Sequence, residues 1–546
     1  EYHKEMARAL EKQKYLTLLE DEAESLILKG EDKKKNKEMV KFTIDKGKVK
    51  KEIIGVICKN TGEISAKKVI ITTGTYLEGV RLRGNERKKG GPLGFEGSYK
   101  LAKSLEKNGI SLRRFKTGTP ARAIKKTLDI KNLIEQKGDE PGIVFSYKNK
   151  KAKKNKISCY LTYTNRKGHL IVKKNLKKSA LYGGKTEGIG PRYCLCIEDK
   201  IVRFPERERH QVFLEQEGLE SEDIYIQGLN INLPKEIQKE FYNTIAGLEK
   251  AEFSKYGYTI EYDSVDPLEL NLSLESKKIK GLYFAGQVIG SSGYEEAGAT
   301  GLISGINVAL SLNHKKAFVP RRTESYIGVL IDDLITKAPE EPYRIMTSRA
   351  EHKLILRQDN ADERLSEKGY KIGLLSKKRY LDYITRKTRI EKAIELLKRT
   401  RIEKKIIEKE ELKIKKKKIK VSKFIKMPES SIEKINNIMK NKKLFHVEQK
   451  GKIKNAWTIL TETEKERVFT EIKYEGYIRK EQLQIEKMKR YENKKIPKNI
   501  DYKKLKGLKK EAIEKLEKLR PKTLGQATRM SGVSPADINI LMMVMK

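Results

Sequence analysis

The sequence predicts an α/β domain that is interrupted by an inserted domain of short strands, completed by a strand, glycine-rich loop and helix, and followed by a helical, basic region. Three observations carry that reading. Residues 66–75, AKKVIITTGT, and residues 281–310, GLYFAGQVIGSSGYEEAGATGLISGINVAL, both run from an apolar strand into glycines, and the second continues into a helix. Between them, from about Leu112 to Gly257, short strands and glycine turns replace that pattern. From about Tyr326 onward the periodicity is helical and the charge density rises.

At 546 residues the chain exceeds what one hydrophobic core organises, so two to four domains are expected. Residues 2–12 read as the middle of an amphipathic helix, and with no Met before Glu1 the chain reads as truncated upstream. Residues 15–19 and 23–28 read as strands, followed by a lysine-rich connection and the alternating segment 52–58, a small meander. KTGTPAR, residues 116–122, joins a lysine and an arginine through a turn, which suits a phosphate contact or a rigid connector between domains. The lysine and asparagine run at 148–156 reads as a solvated loop, and the lysine-dense piece at 403–420 as a local excursion or strap. In the tail, Tyr474, Ile478, Ile485 and Met488 recur near helical spacing as a core stripe, while Arg479, Lys487 and Arg490 on the other faces suit an RNA backbone. From Thr523, TLGQATRMSGVSPADINILMMVMK reads as helix, glycine turn and capped helix.

Charge points to the partner class. The 120 Lys+Arg against 75 Asp+Glu leave +45, a field that attracts polyanions and makes nucleic acid the natural partner. A lysine-rich composition also paints surfaces basic irrespective of function, so charge alone assigns none. Cys58, Cys159, Cys194 and Cys196 are too few for a disulfide framework, which points to a reducing compartment, the cytoplasm. No run reaches the roughly 18 apolar residues of a membrane span, and the opening lacks the plan of a signal peptide. The histidines show no metal-ligand spacing, so no metal is expected.

Two segments carry candidate chemistry. In 281–310 a glycine turn opening a helix presents backbone N–H groups to an anion, and the helix dipole favours a phosphate or the N1/C2-carbonyl edge of a reduced flavin. Gly286, Gln287, Gly293 and Tyr294 sit where such contacts fall; the alternative is a strand-to-helix turn with no ligand. Residues 188–204, GIGPRYCLCIEDKIVRF, gather Arg192, Cys194, Glu198, Asp199, Lys200 and Arg203 behind a glycine and proline turn. Lys200 and Arg203 suit phosphates, and Arg192 beside Cys194 favours its thiolate, a nucleophile. The alternative there is a surface strand with paired charges and a buried thiol.

Read together, these segments resemble the MnmG/GidA family of tRNA uridine 5-carboxymethylaminomethyl modification enzymes. The likeness is collinear and covers almost the whole chain, through KTGTPAR, NLKKSALYGGKTEGIGPRYCLCIEDKIVRFPERERHQVFLEQEGL, GLYFAGQVIGSSGYEEAGATGLISGIN, EPYRIMTSRAEHKLILRQDNADERL, IKYEGYI and TLGQATRMSGVSP. It implies an α/β, FAD-binding Rossmann-like flavoprotein domain (1–115 and 276–318) with an inserted nicotinamide-binding domain (116–275) and an all-α C-terminal domain (319–546) for tRNA and a partner. It further implies a cytoplasmic enzyme that uses FAD, NADH and methylenetetrahydrofolate on the wobble uridine of tRNA. The implied assembly is a homodimer, extended to a heterotetramer with an MnmE-type GTPase.

Carried over by residue, the resemblance places Gln287 on the flavin and Ala23 and Ser98 at nucleotide contacts. The nicotinamide segment becomes Gly190, Pro191, Arg192, Tyr193, Cys194, Leu195, Cys196, Ile197, Glu198, Asp199, Lys200, Ile201, Val202, Arg203 and Phe204. Cys194 takes the role of nucleophile or proton carrier, with Glu198, Asp199 and Lys200 completing the catalytic set. The sequence departs from the family pattern in lacking an opening G-x-G-x-x-G strand and loop, in GGPLGFEGS beside Ser98, and in Cys196 and His352 where Ser and Tyr are usual. A shorter relative that methylates C5 of a uridine with FAD and folate is argued against by the long helical tail after Arg357. A non-catalytic RNA-binding scaffold is the alternative from another class.

Overall fold

The computed structural model describes residues 2–29, 44–45, 48–49, 51–139, 144, 146–147, 149, 154–193, 195–408, 417–440, 456–497 and 499–545. Most of the expected solvated loop at 148–156 and Cys194 itself lie outside the described residues. The chain divides into two compact units, Glu1–Phe318 with Ala338–Arg344, and Val319–Lys337 with Ile345–Lys546.

In the first unit the opening helix forms as Tyr2–Glu11. Residues 15–19 do not form the expected strand. Tyr15 turns the backbone into the left-handed region at φ 63, and Tyr15, Leu16, Leu18 and Leu19 are exposed; a short apolar run without a ladder partner does not hold a strand. The meander that follows is real: Ala23–Lys29 pairs antiparallel with Lys51–Cys58, which also pairs Gly62–Ser65. Asp21 locks its corner by accepting from the Thr61 hydroxyl and N–H and from Asn60, which pulls its carboxyl down to about 2.

The expected long strand at 66–75 shortens to β1 (Val69–Ile71). A second, antiparallel sheet is ordered Glu86–Lys89, Val80–Arg83, Tyr258–Val265, Leu112–Thr119, so that β2 (Leu112–Thr119) is an edge and β3 (Tyr258–Val265) is interior. KTGTPAR is therefore mostly ladder rather than turn: Lys116 lies opposite Glu261, and only Pro120 and Ala121 separate β2 from the next strand, Arg122–Ile124.

That next strand belongs to a six-stranded antiparallel sheet ordered Ile134–Gln136, Cys159–Tyr163, Gln211–Gln216, Asp223–Gln227, Arg122–Ile124, Phe253–Lys255. Its core takes in Val212, Leu214, Ile226, Phe241 and Tyr242, together with Ile197 and Ile201 of α1 (Ile197–Arg203). The surface-strand alternative for this segment is thus replaced by a helix. Cys196 N-caps it, Glu198 and Asp199 occupy its first turn, Lys200 and Arg203 its last, and Ile197 and Ile201 share one buried face.

The chain then returns to the first sheets. Ile279–Lys280 adds in parallel to Lys51–Cys58, and β4 (Leu282–Phe284) runs parallel to β1. A short 3₁₀ turn, Gly286–Ile289, leads to α2 (Tyr294–Leu312), whose Asn307 ties the helix to the Ser273 and Phe318 carbonyls.

The second unit is helical as expected, including Tyr326–Lys337, Ala361–Lys371, Lys377–Arg399, Glu462–Lys473 and Glu475–Asn493. The excursion at 403–420 adds one strand pair, Arg401–Glu403 with Lys418–Lys420. Of the expected stripe, Ile478 and Ile485 are buried while Tyr474 is exposed, and Arg479, Lys487 and Arg490 are exposed on the remaining faces. The terminal capped helix is Pro535–Val544, closed by a reciprocal Ser534–Asp537 capping box. Buried charges brace the unit, with Arg322 bonded to Asp333 at 2.6 Å and Arg529 to Asp332 at 2.9 Å. Among the described residues no helix is long and apolar enough to cross a membrane.

Candidate functional site

Strands β1 and β4 end side by side, the Ala285 N–H donating to the Ile71 carbonyl at 3.1 Å. Beyond these carboxyl ends run Thr73–Gly74 on one side and Gly286–Gln287 on the other, the crevice where α/β sheets bind ligands. The loop needs glycine in two ways. Gly286 and Gly290 hold φ +80 and +78, and at Gly293, with φ +123, a Cβ would collide with the Arg344 guanidinium and the Glu296 carboxylate.

Polar bonds brace this loop from all sides. Gly286 N–H donates to the Thr300 hydroxyl at 2.9 Å, the Ser291 hydroxyl donates to the Gly286 carbonyl at 2.7 Å, and Tyr343 N–H donates to the Gly290 carbonyl at 2.7 Å. Gln287 Nε2 donates to the Tyr262 hydroxyl at 3.1 Å, and burial pushes that phenol up. Tyr262 also meets Phe115 edge-on, ring centroids 6.4 Å apart. At the end of β1 the Thr73 hydroxyl is buried with no hydrogen-bond partner among the described residues. An orphaned hydroxyl, a half-buried amide and a helix N-terminus at one sheet end fit a nucleotide or flavin group carrying acceptors and an anionic edge.

The second candidate segment begins against the same sheet. Ile189 bridges Phe115 in parallel, its N–H on the Arg114 carbonyl at 3.2 Å and its carbonyl taking the Lys116 N–H at 3.0 Å. The fit is tight: a Cβ at Gly188 would lie 2.7 Å from the Phe115 carbonyl, and one at Gly190 2.9 Å from the Lys116 side chain. Arg192 reaches Glu341 at 3.3 Å, two residues before Tyr343 on the glycine loop. The stretch from Glu341 to Arg344 thereby links Arg192 to Gly290 and Ser292 of the glycine loop. Beneath this crossing lies a cleft of about 460 Å³ lined by Glu78, Val80, Arg87, Lys89, Arg114, Glu187 and Asp263.

Farther along, the side chains turn inward. Glu198 is fully buried, its Oε1 accepting from the Ser179 hydroxyl at 3.0 Å and the Asn232 N–H at 2.8 Å, and burial pushes its carboxyl up. Asp199 accepts from Tyr182, whose phenol is pushed up to about 12 by burial and then by that carboxylate. Lys200 donates to the Gly228 carbonyl at 2.7 Å. The expected catalytic set therefore meets a different geometry: Glu198 ties α1 to Ser179 and Asn232, Asp199 to Tyr182, and Lys200 to Gly228. Cys196 caps α1 from a buried site, its thiol donating to Asp199 at 3.3 Å, and burial and then Glu198 and Asp199 push that thiol well up. Leu195, Ile197 and Ile201 pack inward in part or whole, whereas Tyr193, Val202, Arg203 and Phe204 face solvent.

Ala23 stands opposite Cys58 at the start of its strand, in the neighbouring sheet. Ser98 N-caps Tyr99–Lys107 by backbone alone, its N–H on the Tyr76 carbonyl at 2.8 Å, and its side chain makes no capping bond. Sequence reasoning missed Thr73, Glu261, Tyr262 and Arg344. For Thr73 a signal existed in ITTGT, a hydroxyl immediately before the glycine that follows β1.

Comparison with known proteins places this arrangement. Residues 1–316 match the family described as "Glucose inhibited division protein A", 377–482 the "tRNA modifying enzyme MnmG/GidA C-terminal helical domain", and 484–546 the corresponding C-terminal helical bundle. The tRNA uridine 5-carboxymethylaminomethyl modification enzyme MnmG of Clostridium botulinum (strain Loch Maree / Type A3) is 47% identical over 497 residues, 91% of this chain and 78% of that protein. Its counterpart from Geobacillus thermodenitrificans is 42% identical over 550 residues, covering 100% and 82%. Aquifex aeolicus GidA, in its form II crystal, superposes with a TM-score of 0.83 at 38% identity, over 100% of this chain and 82% of that one. The α/β unit followed by helical domains is the architecture expected of that family, and the chain belongs to the MnmG/GidA family.

Proposed function

We propose that this chain is an FAD-dependent tRNA-modifying enzyme that builds the (carboxymethyl)aminomethyl group on C5 of the wobble uridine. NADH serves as reductant, methylenetetrahydrofolate as one-carbon donor, and an MnmE-type GTPase as partner. The observation that supports it most is the crevice at the ends of β1 and β4, in a chain whose curated relatives carry that activity in their names. Gly286, Gln287, Gly293 and Thr73 would hold the flavin, with Ala23 and Ser98 toward its nucleotide. Bound there, FAD supplies the electron transfer.

The chain's own residues do the rest. Gln287, oriented by Tyr262, fixes the ring edge, and the N-terminus of α2 favours negative charge on it. The segment 190–204 receives the nicotinamide on its solvent-facing Tyr193, Arg203 and Phe204, while Glu198, Asp199 and Lys200 keep α1 in place beneath. Cys194 carries the thiol toward the pyrimidine as nucleophile or proton carrier. Exposed Arg479, Lys487 and Arg490 of the helical unit track the tRNA backbone, and a homodimer with the GTPase added forms a heterotetramer in the cytoplasm.

The test incubates the purified chain with FAD, removes free flavin, and follows visible absorbance and NADH oxidation. Nucleoside mass spectrometry of tRNA treated with the full set of substrates and GTPase completes it. Retained flavin and a new wobble nucleoside are expected. Absence of both would sink the proposal.

A further inference from the structure

Glu261 sits in the interior strand β3 and is fully buried. One oxygen accepts two adjacent backbone donors, the Glu187 N–H at 2.6 Å and the Gly188 N–H at 2.7 Å. The other lies 3.8 Å from both the Arg87 and the Arg114 guanidinium and has no hydrogen bond among the described residues. Burying a carboxylate is costly, and a well-packed apolar residue in its place is often more stabilising. A carboxylate retained here is explained by what its two N–H donors begin: residues 187–190, which lie along edge strand β2 and lead directly into 190–204. Its chain neighbour Tyr262 projects from the opposite face of the strand and receives Gln287. Consecutive residues of one strand thus grip the start of the one segment and the amide of the other.

We propose that Glu261 is a positioning residue for the reaction: by pinning the Glu187 and Gly188 amides it sets where the nicotinamide-receiving segment 190–204 stands relative to the glycine loop at Gln287. This rests on the nicotinamide reading of that segment, but the pinning is testable without it. Gly188 gives independent support, because a Cβ there would push the segment off the Phe115 carbonyl.

The experiment measures amide exchange at residues 187–188 in the full chain, and KM and kcat for NADH oxidation with FAD, in wild type, Glu261→Ala and Glu261→Gln. Loss of a charge-assisted acceptor predicts exchange about tenfold faster in the Ala variant and a KM for NADH raised about tenfold with kcat within about twofold. The Gln variant, which keeps an acceptor oxygen, should recover most of both. Unchanged exchange in Glu261→Ala overturns the pinning, and faster exchange with an unchanged KM overturns the positioning role. If wild type does not oxidise NADH, the nicotinamide reading fails while the exchange result still decides the pinning. Should Glu261→Ala not fold, Gly188→Ala displaces the same segment with Glu261 intact and should give the same raised KM; an unaltered KM there overturns the proposal.

Discussion

The glycine loop before α2 and the segment 187–204 meet on one sheet, yet they are built by opposite means. The loop is made of backbone: glycines at positive φ, carbonyls and N–H groups braced by Ser291, Thr300 and Tyr343, with a single side chain, Gln287, presented outward. The segment is held by side chains, with Glu198 and Asp199 buried and tying a short helix to Ser179, Asn232 and Tyr182 while Cys196 caps it. Charged residues in a motif are thus no guide to which of them face a ligand.

Substitutions can break this contrast, starting with the backbone-built side. Gly293→Ala adds strain at φ +123 to a collision with Arg344 and Glu296 and should cost about 2–4 kcal/mol, with loss of retained flavin. A variant as stable as wild type under denaturant would show that the loop tolerates a side chain. In the side-chain-built segment, Glu198→Ala orphans the Ser179 hydroxyl and the Asn232 N–H and should lower stability by about 2–3 kcal/mol, with Glu198→Gln recovering most of it. If instead turnover collapsed and the denaturation midpoint did not move, Glu198 would be chemical rather than structural.

Gln287→Ala probes the one outward side chain of the loop. Removing the donor to Tyr262 should cost about 1 kcal/mol and weaken FAD binding about tenfold in a fluorescence titration; equal affinity would remove Gln287 from the flavin contacts. The smallest effect is a pH dependence set beside the six-stranded sheet. His210, pushed down from 6.5 to about 4 by burial and then by the Lys200 charge, is neutral when folded. The unfolded chain takes up the proton more readily, so this stability is intact above about pH 6.5 and is lost as pH falls toward 4. Melting temperature should drop by a few degrees between about pH 7.5 and pH 5, and His210→Phe should flatten the dependence.

The fold was legible where periodicity and glycine punctuation agree. The 281–310 pattern becomes strand, turn and helix almost residue for residue because apolar β4, the positive-φ glycines and the helical spacing of α2 all specify the same local structure. Residues 15–19 misled because a short apolar run says nothing about whether a partner strand exists. The segment at 197–203 misled as a surface strand because its helix is short and its signals, a thiol N-cap and acidic first turn, are weak by themselves. In the candidate site the glycines and Gln287 could be found from sequence; Glu261 and Tyr262 could not, since strand pairing across long separations brings them there, nor could Arg344, brought by the bridge of Tyr343 to Ser291.

The pairing of Arg401–Glu403 with Lys418–Lys420 holds the two ends of the lysine-dense stretch one strand spacing apart. Closing a chain between fixed ends becomes only slowly costlier as it lengthens, about 0.6 kcal/mol for each doubling. Lengthening the chain between those strands therefore costs little closure entropy, provided that Ile407, fully buried in the helical core, keeps its place.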